Sequence, residues 1–238
     1  PNWFLLDSII NRVERARKEG LKITADVYTY PASSTGLTGV LPTWVQEGGH
    51  RAWLERMKSN KVRKRLLNDI RKELSEQPPE GILMVGFKND SLDKIYRGKT
   101  IAEASSMRNQ SPEETIIDLV IEDDSRIQCV YYSMSEENLR KKISLPWVSF
   151  CSDAGSYSDI KKDFRTHPRA FGSFIRVIGK FSRDEGVLTL EEAIRKLSGF
   201  PAKTLELDRR GTIENEKFAD IVVFDPEKAA DLATFNEP

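Results

Sequence analysis

Apolar residues along this chain alternate between two spacings. Leu5, Leu6, Ile9, Ile10, Val13 and Ala16 fall on one face of a helix, and Gly20 stands where a left-handed residue commonly closes one. "LKITADVYTY", residues 21–30, then reads as a strand. A helix followed after a short turn by a strand is half of an α/β unit. The next stretch, "PASSTGLTG", is rich in small and hydroxyl residues and reads as a loop beyond the strand's C-terminal end, where such folds bind ligands.

From Leu41 to about Asn109 the pattern changes to a highly charged helix, the break "SEQPPEG", a short strand "ILMVGF" and irregular polar sequence, which together read as an insertion or lid. The window Lys58 to Lys72 carries Val62, Leu66, Leu67 and Ile70 at helical spacing, with Leu74 beyond, so its basic residues form the solvated side of an amphipathic helix. "SPEE" opens another helix, with Ser111 at the N-cap, Pro112 at the first helical position and Glu114 in the capping-box position. "IQCVYYSM" reads as a strand, "SEENLRKKI" as a capped helix and "PWVSFC" as a strand, in the order β, α, β. "FGSFIRVIGKFSRDEG" and "TLEEAIRKLSG" are helical, the second capped by Thr189 with Glu192 and closed by Gly199. "ADIVVFD" is the expected last strand. The segments divide as 1–40 (helix, strand and loop), 41–110 (insertion), 111–210 (a further α/β part) and 211–238 (strand and tail).

With 238 residues the chain can bury a large core as one large or two small domains, and its 37 basic and 37 acidic side chains balance. That balance removes nucleic acid and anionic membrane surfaces as default partners. No apolar run approaches the roughly 20 residues of a membrane span, and no signal peptide opens the sequence, so a cytoplasmic protein is expected. Cys129 and Cys151 sit in apolar strand-like contexts and form no C-x-x-C pair, which reads as buried thiols.

Three polar segments lie at or beyond strand ends: Tyr28 to Ser34, Asp153 to Ser158, and Thr166 to Arg169. Their residue types suit hydrolysis of an anionic amide. A carboxylate can take a proton from water and return one to the leaving amine. A guanidinium grips a substrate carboxylate through parallel hydrogen bonds. A phenol donates to the oxyanion formed on a scissile carbonyl. Ser, Asp and Gly after an apolar run are also ordinary turn chemistry, so Asp153 has a structural reading as well.

The motifs "DVYTYPASST", "SDAGSYS", "THPRAFGSFIRVIGKF", "LTLEEAIRKLSGFPAKTLEL", "RRGTI", "ADIVVFDP" and "DLATF" occur in one order, from near Trp3 to Pro238. That order resembles the N-acyl-D-amino-acid deacylases, or D-aminoacylases, of the amidohydrolase superfamily. The resemblance implies the C-terminal part of a metal-dependent (β/α)8 barrel, carrying its seventh and eighth strands, with an inserted α+β subdomain and a terminal strand of a small β-sandwich. It implies zinc as cofactor and a small-molecule N-acyl-D-amino acid as substrate.

By the same resemblance, Asp153 is the metal-facing general base and acid, Arg169 of "HPR" binds the substrate carboxylate, and Tyr28 and Ser34 hold the carbonyl and carboxylate ends. His167 takes an orienting role behind Arg169. His50 is assigned to a helix start or the surface. Two departures stand out: Tyr28-Thr29-Tyr30-Pro31 replaces the family's Tyr-Pro-Tyr, and Glu216 replaces a glycine, with a turn through Asn215 expected to absorb the change. The family's other metal ligands, an H-x-H pair, a cysteine and two further histidines, have no counterpart in a chain whose histidines are His50 and His167. The expected partner is therefore the remaining N-terminal barrel segment, or a self-associated copy, with activity belonging to the intact protein. The alternatives are a folded non-catalytic binding domain, or an amidohydrolase acting on cyclic amides.

Overall fold

The structure, a computed structural model, describes residues 2–156 and 166–238. In chain order its strands are β1 (Ala25–Val27), β2 (Ser33–Gly36), β3 (Ile82–Gly86), β4 (Gln128–Tyr131) and β5 (Val148–Phe150). The helices are α1 (Leu6–Lys18), α2 (Thr43–Gln46), α3 (His50–Lys58), α4 (Asn60–Glu76), α5 (Asp90–Tyr96), α6 (Ile101–Arg108) and α7 (Pro112–Asp123), then α8 (Glu136–Ser144), α9 (Arg169–Arg176), α10 (Leu190–Leu197) and α11 (Gly199–Thr204). After α9 the chain continues in wider, π-helical turns over Val177–Asp184.

Two compact units divide the chain: Ala32–Ser133 with residues 166–167, and Asn2–Pro31 with 134–156 and Pro168–Pro238. In the Ala32–Ser133 unit, β2, β4 and β3 form an antiparallel sheet with β4 in the middle. Its core gathers Leu66 and Ile70 of α4, Met84 of β3, Ile101 of α6 and Ile116 and Val120 of α7. The α4 stripe read from the sequence is the buried one, Leu66, Ile70 and Leu74. Ser111 and Glu114 form the expected reciprocal capping box, and Thr100 with Glu103 forms a second.

In the other unit β1 and β5 pair in parallel, Ala25 beside Val148 and Val27 beside Phe150. Its core holds Val27, Leu139, Ile143, Trp147, Val177 and Phe181. Strands paired in parallel and separated by helical sequence are the α/β pattern. That two-stranded sheet is the parallel pairing found among the described residues.

Several elements depart from the sequence reading. "PASSTGLTG" is not all loop, since Ser33–Gly36 pairs with β4; a strand of small polar residues shows no alternation and is defined by its neighbour. β4, α8 and β5 do not form one βαβ unit, because β4 lies in the antiparallel sheet and β5 pairs with β1. Residues 111–133, grouped by sequence with the α/β part 111–210, share the sheet and core of the unit that contains 41–110. The "irregular" stretch after β3 holds α5 and α6, capped by Asn89 and Thr100. Gly199 opens α11 rather than closing α10.

"ADIVVFD" forms no strand: among the described residues it has no ladder partner, and Val222 and Val223 are exposed. Glu216 is not bypassed by a turn at Asn215 but itself takes the left-handed conformation, with φ +68°. Among the described residues no helix is long and apolar enough to cross a membrane.

Candidate active site

β5 ends at Phe150, and three residues later Asp153 adopts a left-handed conformation, φ +47°. Asp tolerates this region better than most residues because its short side chain bonds locally. There its carboxylate meets Arg169, Oδ2 to Nη1 at 2.8 Å. The two ends of this pair differ in environment, Asp153 being 62 % exposed and Arg169 10 %. The guanidinium is thus held in the protein while the carboxylate faces outward.

Arg169 is the first residue of α9, and no acidic side chain stands in that first turn. A helix start carries partial positive charge, so Arg169 adds to a field that favours anions. Its guanidinium carbon lies 4.6 Å from the centroid of the Tyr28 ring, a stacked cation–π arrangement. Tyr28 follows β1, and its hydroxyl donates to Met134 Sδ at 3.4 Å. Burial raises the Tyr28 pKa, an effect that neighbouring Arg169 partly offsets. The phenol therefore keeps its proton at neutral pH and remains a donor.

Asp153, Arg169 and Tyr28 thus meet within one unit, each delivered by the end of a β-strand or the start of a helix. Ser34 belongs to the other unit, where its hydroxyl donates to the Cys129 carbonyl at 2.9 Å and accepts from Gln128 at 2.8 Å. His167 is buried there too and donates through Nε2 to the Ala32 carbonyl at 2.9 Å, a bond that orients the chain just after Pro31. Tyr157 and Ser158, at the end of the Asp153 loop, lie outside the described residues.

His50 is a surface residue paired with Asp124 at 3.1 Å. Burial and a hydrogen bond with Asp26 push the Cys151 thiol up to about 12, so it is protonated and unreactive at neutral pH. Burial likewise raises the Cys129 thiol. Among the described residues no group of three or more His, Cys, Asp or Glu side chains is placed to hold a metal ion. Asp153 by itself does not make a zinc site, which takes three or four protein ligands.

The sequence reading did not single out Tyr30, Arg176 or Asp231, which adjoin this site. Asp231 stands in the "DLATF" motif, but nothing in its spacing shows that it returns to the helix after "HPR".

Residues 148–238 match the model of the amidohydrolase family. Over its whole length the chain is similar to an N-acyl-D-glutamate deacylase of Alcaligenes xylosoxydans xylosoxydans, at 28 % identity across 237 residues, 100 % of this chain and 39 % of that protein. A D-aminoacylase of the same organism is 33 % identical over 141 residues, 59 % of this chain and 27 % of that one. Among solved structures, the N-acyl-D-glutamate deacylase of Bordetella bronchiseptica, complexed with zinc and a phosphonate mimic of the tetrahedral intermediate, superposes with a TM-score of 0.71 at 24 % identity. A D-aminoacylase structure superposes with a TM-score of 0.68 at 25 % identity. Both superpositions cover 98 % of this chain and 39 % of the other. The chain therefore spans less than two fifths of the relatives it matches.

Proposed function

We propose that this chain, which over residues 148–238 matches the model of the amidohydrolase family, is the part of an N-acyl-D-amino-acid deacylase that supplies its general base and its carboxylate-binding arginine. The observation that carries this reading is the Asp153–Arg169 pair stacked over Tyr28. An acid and a cation joined only for stability would more commonly be two exposed surface groups. Here a buried arginine at a helix start presents its charge to an outward-facing carboxylate beside a protonated phenol.

The reaction adds water to the acyl carbon and breaks its bond to nitrogen. Asp153 takes a proton from the attacking water and returns it to the departing amine. Tyr28 donates to the oxygen that gains charge in between. Arg169 exchanges Asp153 for the α-carboxylate of the substrate, which fixes that end and leaves Asp153 free to act as base. Zinc, when held by the whole protein, would supply the positive charge that acidifies the water; among the described residues no three His, Cys, Asp or Glu side chains are grouped to hold it, so Asp153 would act with ligands from elsewhere in the whole protein. The chain alone is accordingly expected to lack amidase activity.

The test is steady-state hydrolysis of N-acyl-D-amino acids by the whole zinc-loaded protein. Asp153→Asn should lower kcat by at least about a thousandfold with the melting temperature retained, whereas a loss within about tenfold, roughly 1.4 kcal/mol, would contradict the assignment. Arg169→Lys keeps the charge and loses the planar fork, so it should raise KM more than it lowers kcat. An unchanged KM would remove Arg169 as the carboxylate anchor.

A further inference from the structure

The site has a second layer built from the C-terminal tail. Arg183 donates through Nη1 to the carbonyls of Pro226, Glu227 and Ala229, at 3.0, 3.2 and 2.8 Å, and so fastens the tail along the π-helical turns. Gly179 and Gly172 leave the space it occupies. A Cβ at Gly179 would stand 2.4 Å from the Ala229 carbonyl oxygen, and one at Gly172 would stand 3.0 Å from Asp231 Cβ and 1.9 Å from the Tyr30 hydroxyl. Backbone cannot yield as a side-chain tip can, so glycine at 179 is required by this path.

The tail delivers Asp231 to two partners. Its Oδ2 accepts from Arg176 Nη1 at 2.7 Å and from the Tyr30 hydroxyl at 2.9 Å. Arg176 also lies over the Tyr30 ring, 4.6 Å from its centroid, and donates through Nε to the Thr29 carbonyl at 3.1 Å. Thr29 in turn donates its hydroxyl to the Ser173 carbonyl at 3.0 Å. The segment immediately after Tyr28 is thus pinned to α9, the helix whose first residue, Arg169, stacks on Tyr28. Without Asp231, Arg176 would lose the carboxylate it pairs with in a largely closed setting, and Tyr30, 2 % exposed, would lose its hydrogen bond to that carboxylate. Either loss favours rearrangement, because breaking a buried charged hydrogen bond is costly.

We propose that Asp231 is a positioning residue for the active site, acting through Tyr30 and Arg176 to hold Tyr28 and Arg169 in register. The inference rests on the deacylase reading for its kinetic consequence and on geometry alone for its spectroscopic one. It also gives a task to "DLATF", which otherwise has none.

The experiment uses the whole zinc-loaded protein in two arms. In the kinetic arm, Asp231→Ala should raise KM for an N-acyl-D-amino acid at least tenfold, with zinc content unchanged. Tyr30→Phe should raise it three- to tenfold, and Asp231→Asn, which keeps an acceptor for Tyr30 but not the charge for Arg176, should fall between them and wild type. In the Arg169→Lys background most of the Asp231→Ala effect should vanish, because the group being positioned is already altered. Full additivity, or an unchanged KM in a folded Asp231→Ala protein, overturns the proposal. If Asp231→Ala does not fold, Tyr30→Phe decides by the same criterion.

In the second arm the protein carries 3-fluorotyrosine, and its fluorine NMR signals are assigned by single Tyr→Phe changes. Asp231→Ala should shift the Tyr28 resonance and leave that of Tyr131 in place; an unmoved Tyr28 signal overturns the proposal whatever the activity. Absence of deacylation in the wild type, or an Arg169→Lys protein with wild-type KM, defeats the functional reading instead, and the fluorine arm then decides the role of Asp231.

Discussion

In the Ala32–Ser133 unit, Leu66, Ile70, Met84, Ile101 and Ile116 are buried against one another, and the central strand β4 has a neighbour on each side. The unit that carries Asp153 has a smaller core around Ile143, Val177 and Phe181 and leaves Phe4, Ile9, Ile213 and Val223 exposed. On the helix α1 Val13 packs against the core, while Ile9 of the expected apolar face, and Leu5 just before the helix, point to solvent. Parallel strands are normally covered on both faces, and among the described residues β1 and β5 form only a pair. The contrast separates two uses of apolar sequence. One unit spends its stripes on its own closure; the other brings Asp153, Arg169 and Tyr28 together and secures its chain with charged and polar contacts such as Asp231–Arg176 and Asp153–Arg169.

The largest effect that would break this comparison is a core truncation. Ile70→Ala should cost on the order of 2 to 5 kcal/mol in chemical denaturation, since the side chain is fully buried, whereas Val223→Ala, at 93 % exposure, should stay within about 0.5 kcal/mol. Equal costs would mean that the tail at 219–225 packs in solution.

Next is Lys196 of α10, buried, with Nζ donating to the carbonyls of Ile143 and Leu145 at the end of α8. Burial pushes its pKa down from the usual lysine value to about 8. In the folded state the ammonium loses its proton first, so between about pH 8 and the ordinary lysine value the unfolded chain binds more protons. Stability relative to Lys196→Met should therefore be lowest and flat below that window and rise through it, by on the order of 1 to 3 kcal/mol. A difference independent of pH would place Nζ in water.

The smallest effect is at Glu216. Its left-handed φ of +68° suits glycine, so Glu216→Gly should stabilise by about 0.5 to 1 kcal/mol in the same denaturation assay. Destabilisation there would indicate that the side chain itself is needed.

What could be read from sequence was what depends on near neighbours. Ser111, Pro112 and Glu114 announce a helix start through contacts three residues apart, and the α4 stripe announces its buried side. Asp153, Arg169 and Tyr28 were singled out through their motifs, and the structure places them together; their roles belong to the proposal above. What could not be read depends on distant partners. "SSTG" becomes a strand only because β4 lies beside it, and "IVV" fails to become one for want of any such neighbour among the described residues. Asp231 and Arg176 are 55 positions apart, and neither has a local pattern that points to the other.

The strands that open and close the Ala32–Ser133 unit, β2 and β4, are bonded side by side, with Ser33 facing Tyr131. A segment that leaves and returns at one spot can grow or shrink at little thermodynamic expense, since doubling a loop costs only roughly 0.6 kcal/mol in closure entropy. Related genes can therefore exchange this whole piece for a longer, shorter or unrelated one without rewriting the acid, the arginine and the phenol. Natural diversification of such proteins has a ready splice point there, and laboratory recombination has the same one.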